Sequence, residues 1–162
     1  MKLLLPLKYY DEAGRVKPPI SLYWVILFLC RSLVILAGSL SSQQYSKELL
    51  AMFYADSRFL YINIFIALPT FVALLIMGFR EKLWQKNRVW LFTLIIPLMI
   101  FSCIVDVAYH LFVANLQHWQ FSWVIAITLI ADVFCLYFLS KDKHASFMVF
   151  DWRTKVAVTP DN

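Results

Sequence analysis

The sequence predicts an all-α membrane protein with four transmembrane helices and both termini in the cytoplasm. Hydrophobic residues make up 62% of the 162 positions, whereas charged residues make up 15%. This balance lies far from that of a water-soluble globular domain. Mean hydropathy is +0.70, and four apolar runs approach the length of about 20 residues that a helix needs to cross the hydrocarbon layer.

The first run predicts a span over about residues 20–40, directly after Pro18 and Pro19. The paired prolines favour an extended approach to the helix, because each disfavours helical angles at the residue before it. The other spans are predicted over residues 59–79, 89–109 and 121–139. Pro69 and Pro97 lie inside the second and third spans, where a fixed kink and a moving hinge are the two interpretations.

Lysine and arginine residues outside the spans are distributed unevenly between the two sides of the membrane. Twelve belong to residues 1–19, to the connection 80–88 and to residues 140–162, whereas Lys47 and Arg58 lie on the opposite side. The positive-inside rule then makes 1–19 a cytoplasmic segment and 140–162 a cytoplasmic tail. The net charge of +5 follows from this asymmetry, so we predict contact with the lipid bilayer and none with nucleic acid.

Two ionisable residues, Arg31 and Asp132, fall deep inside predicted spans. Counting inward from the cytoplasmic ends at about 1.5 Å per residue places Arg31 roughly 16 Å deep and Asp132 roughly 11 Å deep. A charge at that depth is costly without a partner, so the sequence predicts an Arg31–Asp132 ion pair between the first and fourth helices. The alternative is a proton or substrate route that uses Asp132.

A second polar group is predicted near the outer ends of the second and third helices. Asp106 and His110 are four residues apart and share a helical face, and Arg58 and Asn63 lie at a similar height. One interpretation is a polar patch that ends the spans at the outer interface. The other is a pH-responsive site, since a carboxylate beside a histidine favours the imidazolium form.

The sequence offers no catalytic constellation, so we predict no enzyme and no cofactor. Cys30, Cys103 and Cys135 lie in apolar runs without metal-ligand spacing. Asp106 and His110 are four residues apart, but His118 does not provide a third ligand at regular spacing, and no metal site is predicted.

The stretch from Tyr10 to Pro19 (YDEAGRVKPP), together with Leu27 to Ser32 (LFLCRS), resembles the YfeZ-like inner-membrane family, a domain of unknown function. The resemblance implies a bacterial inner-membrane location and no activity. The residues of the N-terminal motif that carry it are Tyr10, Asp11, Gly14, Lys17, Pro18 and Pro19. From the residues themselves, this motif is either a membrane anchor, with a turn followed by cations at the head groups, or a binding motif for a cytoplasmic partner.

Two functions follow from these observations. A structural or accessory subunit of a membrane assembly is favoured, because apolar residues far outnumber the residues that could carry out chemistry. In addition, the charges of an Arg31–Asp132 pair would neutralise each other. A small transporter or channel-like protein that uses Asp132 is the alternative. A membrane-protein partner would fit the first function, and a homo-oligomer could create a pathway for the second.

Overall fold

The computed structural model describes residues 9–10, 15–41, 57–116, 118 and 123–154. These residues are almost entirely helical, and the strand-like pairing among them is one antiparallel bridge between Tyr10 and Val16. In chain order the elements are α1 (Ile20–Leu29), α2 (Arg31–Ser41), α3 (Ser57–Gly78), α4 (Arg80–Gln85), a 3₁₀ segment (Val89–Leu94), α5 (Ile95–Leu116), α6 (Trp123–Lys141) and α7 (Lys143–Thr154).

Three stretches of the described chain are long and apolar enough to cross a membrane. They are the helix Arg58–Gly78, the 3₁₀ segment with α5 (Val89–Leu116), and α6. Helices α1 and α2 provide a fourth span if they are counted as one, with a bend of 66° between them. The chain is therefore an all-helical, multi-pass membrane protein with three to four spanning helices.

The predicted first span is not one continuous helix, because it breaks at Cys30 (φ −88°, ψ 11°). At the break, Nη1 of Arg31 donates to the carbonyl oxygen of Phe28 at 3.4 Å. The hydroxyl of Ser32 donates to the carbonyl oxygen of Asn63 on α3 at 3.1 Å. A side chain bonded into the carbonyl ladder is a recognised cause of helix bending. A break at membrane depth is tolerated where it is buried in protein or lines a cavity.

Helix α3 packs most extensively against α5. Ala67, Thr70 and Ala73 recur every three residues on α3, and all three are fully buried. Small side chains on one helical face let two membrane helices approach closely. The contact includes a hydrogen bond of 2.6 Å from the hydroxyl of Ser102 on α5 to the carbonyl oxygen of Ile66.

The predicted cytoplasmic tail contains a helix, α7, that docks onto the bundle through Trp152. This side chain is 1% exposed, and its Nε1 donates to the carbonyl oxygen of Val16 at 2.9 Å. The amide of Val16 donates to Oδ2 of Asp151 at 3.0 Å, and Nε1 of Trp84 donates to the carbonyl oxygen of Trp152 at 3.1 Å. Residues before α1, within α4 and within α7 therefore meet at one end of the bundle.

The N-terminal motif leads into this contact. Lys17 donates its amide to the carbonyl oxygen of Tyr9 at 2.8 Å, beside the bridge that pairs Tyr10 with Val16. Pro19 precedes α1 in an extended conformation, as the prolines predict. Asp11 and Gly14 lie outside the described residues.

Candidate functional site

The structure gives Arg31 a different partner from the predicted one. Its Nη1 lies 2.8 Å from Oδ2 of Asp106 on α5, whereas the sequence pairs it with Asp132 on α6. The depth count assumed a straight first helix, and the 66° bend at Cys30 changes the course of the chain at the residue that carries the guanidinium. The Asp106 side chain is 3% exposed, so the contact is an ion pair inside the bundle.

Asp106 and His110 face each other across one turn of α5. Nδ1 of His110 lies 2.9 Å from the carbonyl oxygen of Asp106 and 3.2 Å from its Oδ1. Both neighbours are acceptors, so we assign the proton of the neutral ring to Nδ1, which leaves Nε2 as an acceptor. The ring of Tyr109 packs edge-on against His110, with 5.5 Å between centroids.

These two residues lie further inside their helix than the predicted span, which ends at residue 109, places them. Helix α5 continues to Leu116, seven residues past the predicted end at 109, which adds about 10 Å of helix beyond that point. Asp106 is 2% exposed and His110 is 9% exposed. They therefore belong to the interior of the bundle rather than to a surface patch.

Asp132 completes the group and is the most unusual member of it. The residue is fully buried, and among the described residues neither of its carboxylate oxygens has a hydrogen-bond partner. Three polar atoms lie within 4.8 Å of one another: a carboxylate oxygen of Asp106, a ring nitrogen of His110 and a carboxylate oxygen of Asp132. Arg31, Asp106, His110 and Asp132 are called the buried charge cluster from here on.

Of the other predicted outer residues, Asn63 reaches the cluster and Arg58 lies away from it. Asn63 is 7% exposed, donates Nδ2 to the carbonyl oxygen of Phe59 at 2.8 Å, and lines a cavity with Arg31 and His110. Arg58 is exposed at the start of α3, five residues before Asn63. The structure therefore keeps Asp106 and His110 together, adds Arg31 and Asp132 to them, and places Asn63 beside this group at the cavity.

The cavity beside the cluster has a volume of about 530 Å³, enough for several water molecules. Its polar lining comes from Arg31, Asn63, His110 and Thr128, and its apolar walls from α1, α2 and α6. Asp132 is not part of this lining. Arg31 and His110 are the cluster members that line the cavity, and a ring nitrogen of His110 lies within 4.8 Å of a carboxylate oxygen of Asp132.

The cluster brings together two carboxylates, one guanidinium and one imidazole. No metal site is predicted from the sequence, and Oδ2 of Asp106 already forms an ion pair with the guanidinium of Arg31. The chemistry that this arrangement supports is the binding of a further positive charge at Asp132. Sequence reasoning selected all four residues but divided them between two sites at different depths.

Comparison with known proteins places residues 5–151 in one family profile, described as "Protein of unknown function (DUF2919)". The chain is also similar to the Inner membrane protein YfeZ of Escherichia coli (strain K12), with 28% identity over 96 residues. That alignment covers 59% of this chain and 64% of the relative, so it spans somewhat less than two thirds of the relative's length. No solved structure matches the chain. The family match includes the N-terminal motif and confirms the resemblance identified from the sequence.

Proposed function

Because the chain belongs to the DUF2919 family, whose description assigns no activity, we propose a function from the geometry of the bundle. The protein acts as a small ion-translocating membrane protein, a transporter or a channel, in which Asp132 binds the ion. The relative from Escherichia coli is named as an inner membrane protein, and we place this chain in the same bacterial membrane.

The observation that carries the proposal is the state of the Asp132 carboxylate. It is fully buried, and within the described ranges its two oxygens have no hydrogen-bond partner. An uncompensated carboxylate at this depth costs several kcal/mol. Ionisable residues inside membrane helices mark ion paths and proton relays in other membrane proteins. Since Arg31 pairs with Asp106, the self-neutralising pair that argued against transport is absent from the described contacts.

The broken first span supports the same function. Arg31 begins α2 immediately after the break, and it lines the cavity together with Leu27 of α1. Discontinuous helices at membrane depth occur where the backbone lines a cavity or an ion site. The break therefore supports a path to the cluster.

The arrangement of the ends supports both termini being cytoplasmic. Val16, Trp84 and Trp152 meet at one end of the bundle, and the segments around them carry most of the basic residues. The positive-inside rule assigns this end to the cytoplasm. Helix α3 ends beside this contact and so begins at the opposite end, which supports treating α1 and α2 as one crossing.

A structural or accessory subunit is the second candidate. In the most apolar part of α6, 17% of the residues are buried within this chain. The remaining surface is available to lipid or to another membrane helix. A partner seated there would support the accessory function.

Liposome flux measurements test the proposal. The purified full chain is reconstituted, and ion flux is compared for the wild type, Asp132→Asn and the control Asp142→Asn. Asp142 lies between α6 and α7 and accepts the amide of His144 at 2.9 Å, a capping role that asparagine also fills. We expect flux that Asp132→Asn abolishes and Asp142→Asn preserves. Flux that survives in folded Asp132→Asn contradicts the proposal, as does a wild type that moves no ion but co-purifies with one membrane protein.

A further inference from the structure

The charges of the buried charge cluster do not balance. Arg31 is permanently charged, and Asp106 and Asp132 contribute two carboxylates, so the cluster carries one negative charge when His110 is neutral. A net charge in a low-dielectric interior is costly. One additional positive charge neutralises the cluster, whereas a divalent cation beside Arg31 would leave it positive.

Two groups in the cluster can accept that charge as a proton. No donor among the described residues reaches the Asp132 carboxylate, and the carboxylate lies beside that of Asp106. Nδ1 of His110, to which we assign the proton of the neutral ring, lies 2.9 Å from the carbonyl oxygen of Asp106, which leaves Nε2 with a lone pair. One ring nitrogen of His110 and one carboxylate oxygen of Asp132 lie within 4.8 Å of each other, a distance that one bridging water, or a rotation of the ring, covers.

The cluster is neutral overall with the proton on either group. With the proton on Asp132, Arg31 and Asp106 remain a balanced pair. With the proton on His110, the imidazolium lies 3.2 Å from Oδ1 of Asp106 and near the Asp132 carboxylate. In the transfer, the Asp132 O–H bond breaks as an N–H bond forms at the unprotonated ring nitrogen of His110, directly or through one bridging water. The proton therefore moves without creating net charge.

Among the residues that the structure describes, the groups facing Asp132 add no other charge to this count. Asp132 is faced by Asp106, His110 and the thiol of Cys103 from α5, by Arg31 from α2, and by the thiol of Cys135 on its own helix. Both thiols enter the count as neutral groups, and Cys103 donates its S–H to the carbonyl oxygen of Asp132 at 3.3 Å.

We infer that the ion is a proton, and that His110 passes it between water in the cavity and the carboxylate of Asp132. This inference rests on the proposed function and specifies its ion. His110 lines the cavity, whereas Asp132 does not, so the order of the two groups along the path follows from the fold. Arg31 holds Asp106 and is a positioning residue.

Proton uptake by proteoliposomes tests the inference. Liposomes with a pH-sensitive dye in the lumen receive a potassium diffusion potential, and the initial rate of lumen acidification is measured. We expect both His110→Asn and Asp132→Asn to lower this rate about 100-fold or more, because each removes a proton-transfer group. The matched control is His118→Asn, because His118 is exposed and has a positive φ of 51°, which asparagine adopts readily.

The outcomes separate this inference from the proposed function. Sodium uptake that is lost in Asp132→Asn, with no proton uptake, overturns the proton assignment while ion translocation at Asp132 stands. Proton uptake that is lost in Asp132→Asn but retained in His110→Asn overturns the relay. Proton uptake that Asp132→Asn leaves unchanged overturns both proposals.

Infrared difference spectra between about pH 6 and pH 8, above the range in which ordinary carboxyl groups titrate, provide a readout that does not require flux. We expect a protonated-carboxyl band in the wild type that is missing from folded Asp132→Asn and present in His118→Asn. A band that persists in Asp132→Asn overturns the assignment of the proton to Asp132.

Discussion

The guanidinium of Arg31 lies 2.8 Å from the carboxylate of Asp106, and this contact joins the start of α2 to α5. Removing one member of a buried pair leaves the other charge uncompensated and costs about 3–5 kcal/mol. We expect Arg31→Met to lower the free energy of unfolding by an amount of this order. The double variant Arg31→Met/Asp106→Asn should lose less than Arg31→Met alone. Thermal unfolding in mild detergent measures both, with Arg88→Met at an exposed position as the control. If the effects of the two substitutions on the free energy of unfolding simply add, the ion pair does not stabilise the protein.

Charge exchange distinguishes Asp106 from Asp132 as the partner of Arg31. We expect Arg31→Asp/Asp106→Arg to restore more membrane abundance than Arg31→Asp/Asp132→Arg, because the first exchange recreates the observed ion pair. The abundance of each single variant provides the baseline. Better recovery by the exchange at Asp132 would show that the sequence-based pairing, rather than the structural one, holds in the membrane.

Hydropathy predicts the spanning helices well because the bilayer fixes their length. The predicted second span over 59–79 corresponds to Ser57–Gly78, and the fourth over 121–139 to Trp123–Lys141. The break at Cys30 could not be predicted in this way, because it depends on contacts of Arg31 and Ser32 with residues distant in sequence.

The depth of the site could have been predicted more accurately from the sequence. Apolar residues continue directly after His110 as Leu111-Phe112-Val113-Ala114, and this run indicates that the third span continues past 109. The partner of Arg31 could not be inferred from depth alone. Asp106 and Asp132 lie within 4.8 Å of each other, and the helix bend decides which of them the guanidinium contacts.

Trp152 connects the C-terminal helix to the residues before α1 through its bond to Val16. We expect Trp152→Phe to cost about 1 kcal/mol, because it keeps most of the buried ring area but leaves a buried carbonyl without its donor. Hydrogen exchange at residues 15–17 should also become faster. The control is Phe150→Leu, since Phe150 is 64% exposed. Unchanged exchange in a folded Trp152→Phe variant would mean that this bond does not hold the N-terminal segment in place.

Membrane orientation is tested with cysteines introduced at exposed positions. The native cysteines are buried, so the parent chain gives a low background with an impermeant maleimide. We expect His118→Cys to be labelled from the periplasmic side and Lys86→Cys from the cytoplasmic side, because the basic connection 80–88 shares the end of the bundle occupied by Val16 and Trp152. Labelling on the reverse sides would invert the proposed topology.

Comparing the stabilities of Asp132→Asn and Asp106→Asn shows whether Asp132 stabilises the bundle or is retained for function. Asp132→Asn removes a buried carboxylate that no hydrogen-bond donor of the described chain reaches and leaves a balanced Arg31–Asp106 pair. We therefore expect it to raise the free energy of unfolding at neutral pH by about 1–3 kcal/mol. Asp106→Asn makes the same chemical change one helix away, but it breaks the ion pair and should lower stability. If the free energy of unfolding rises in Asp132→Asn and falls in Asp106→Asn, Asp132 is retained for function at a cost in stability. A similar loss of stability in both variants would mean that Asp132 is a structural element of the bundle, and the basis for ion translocation would be removed.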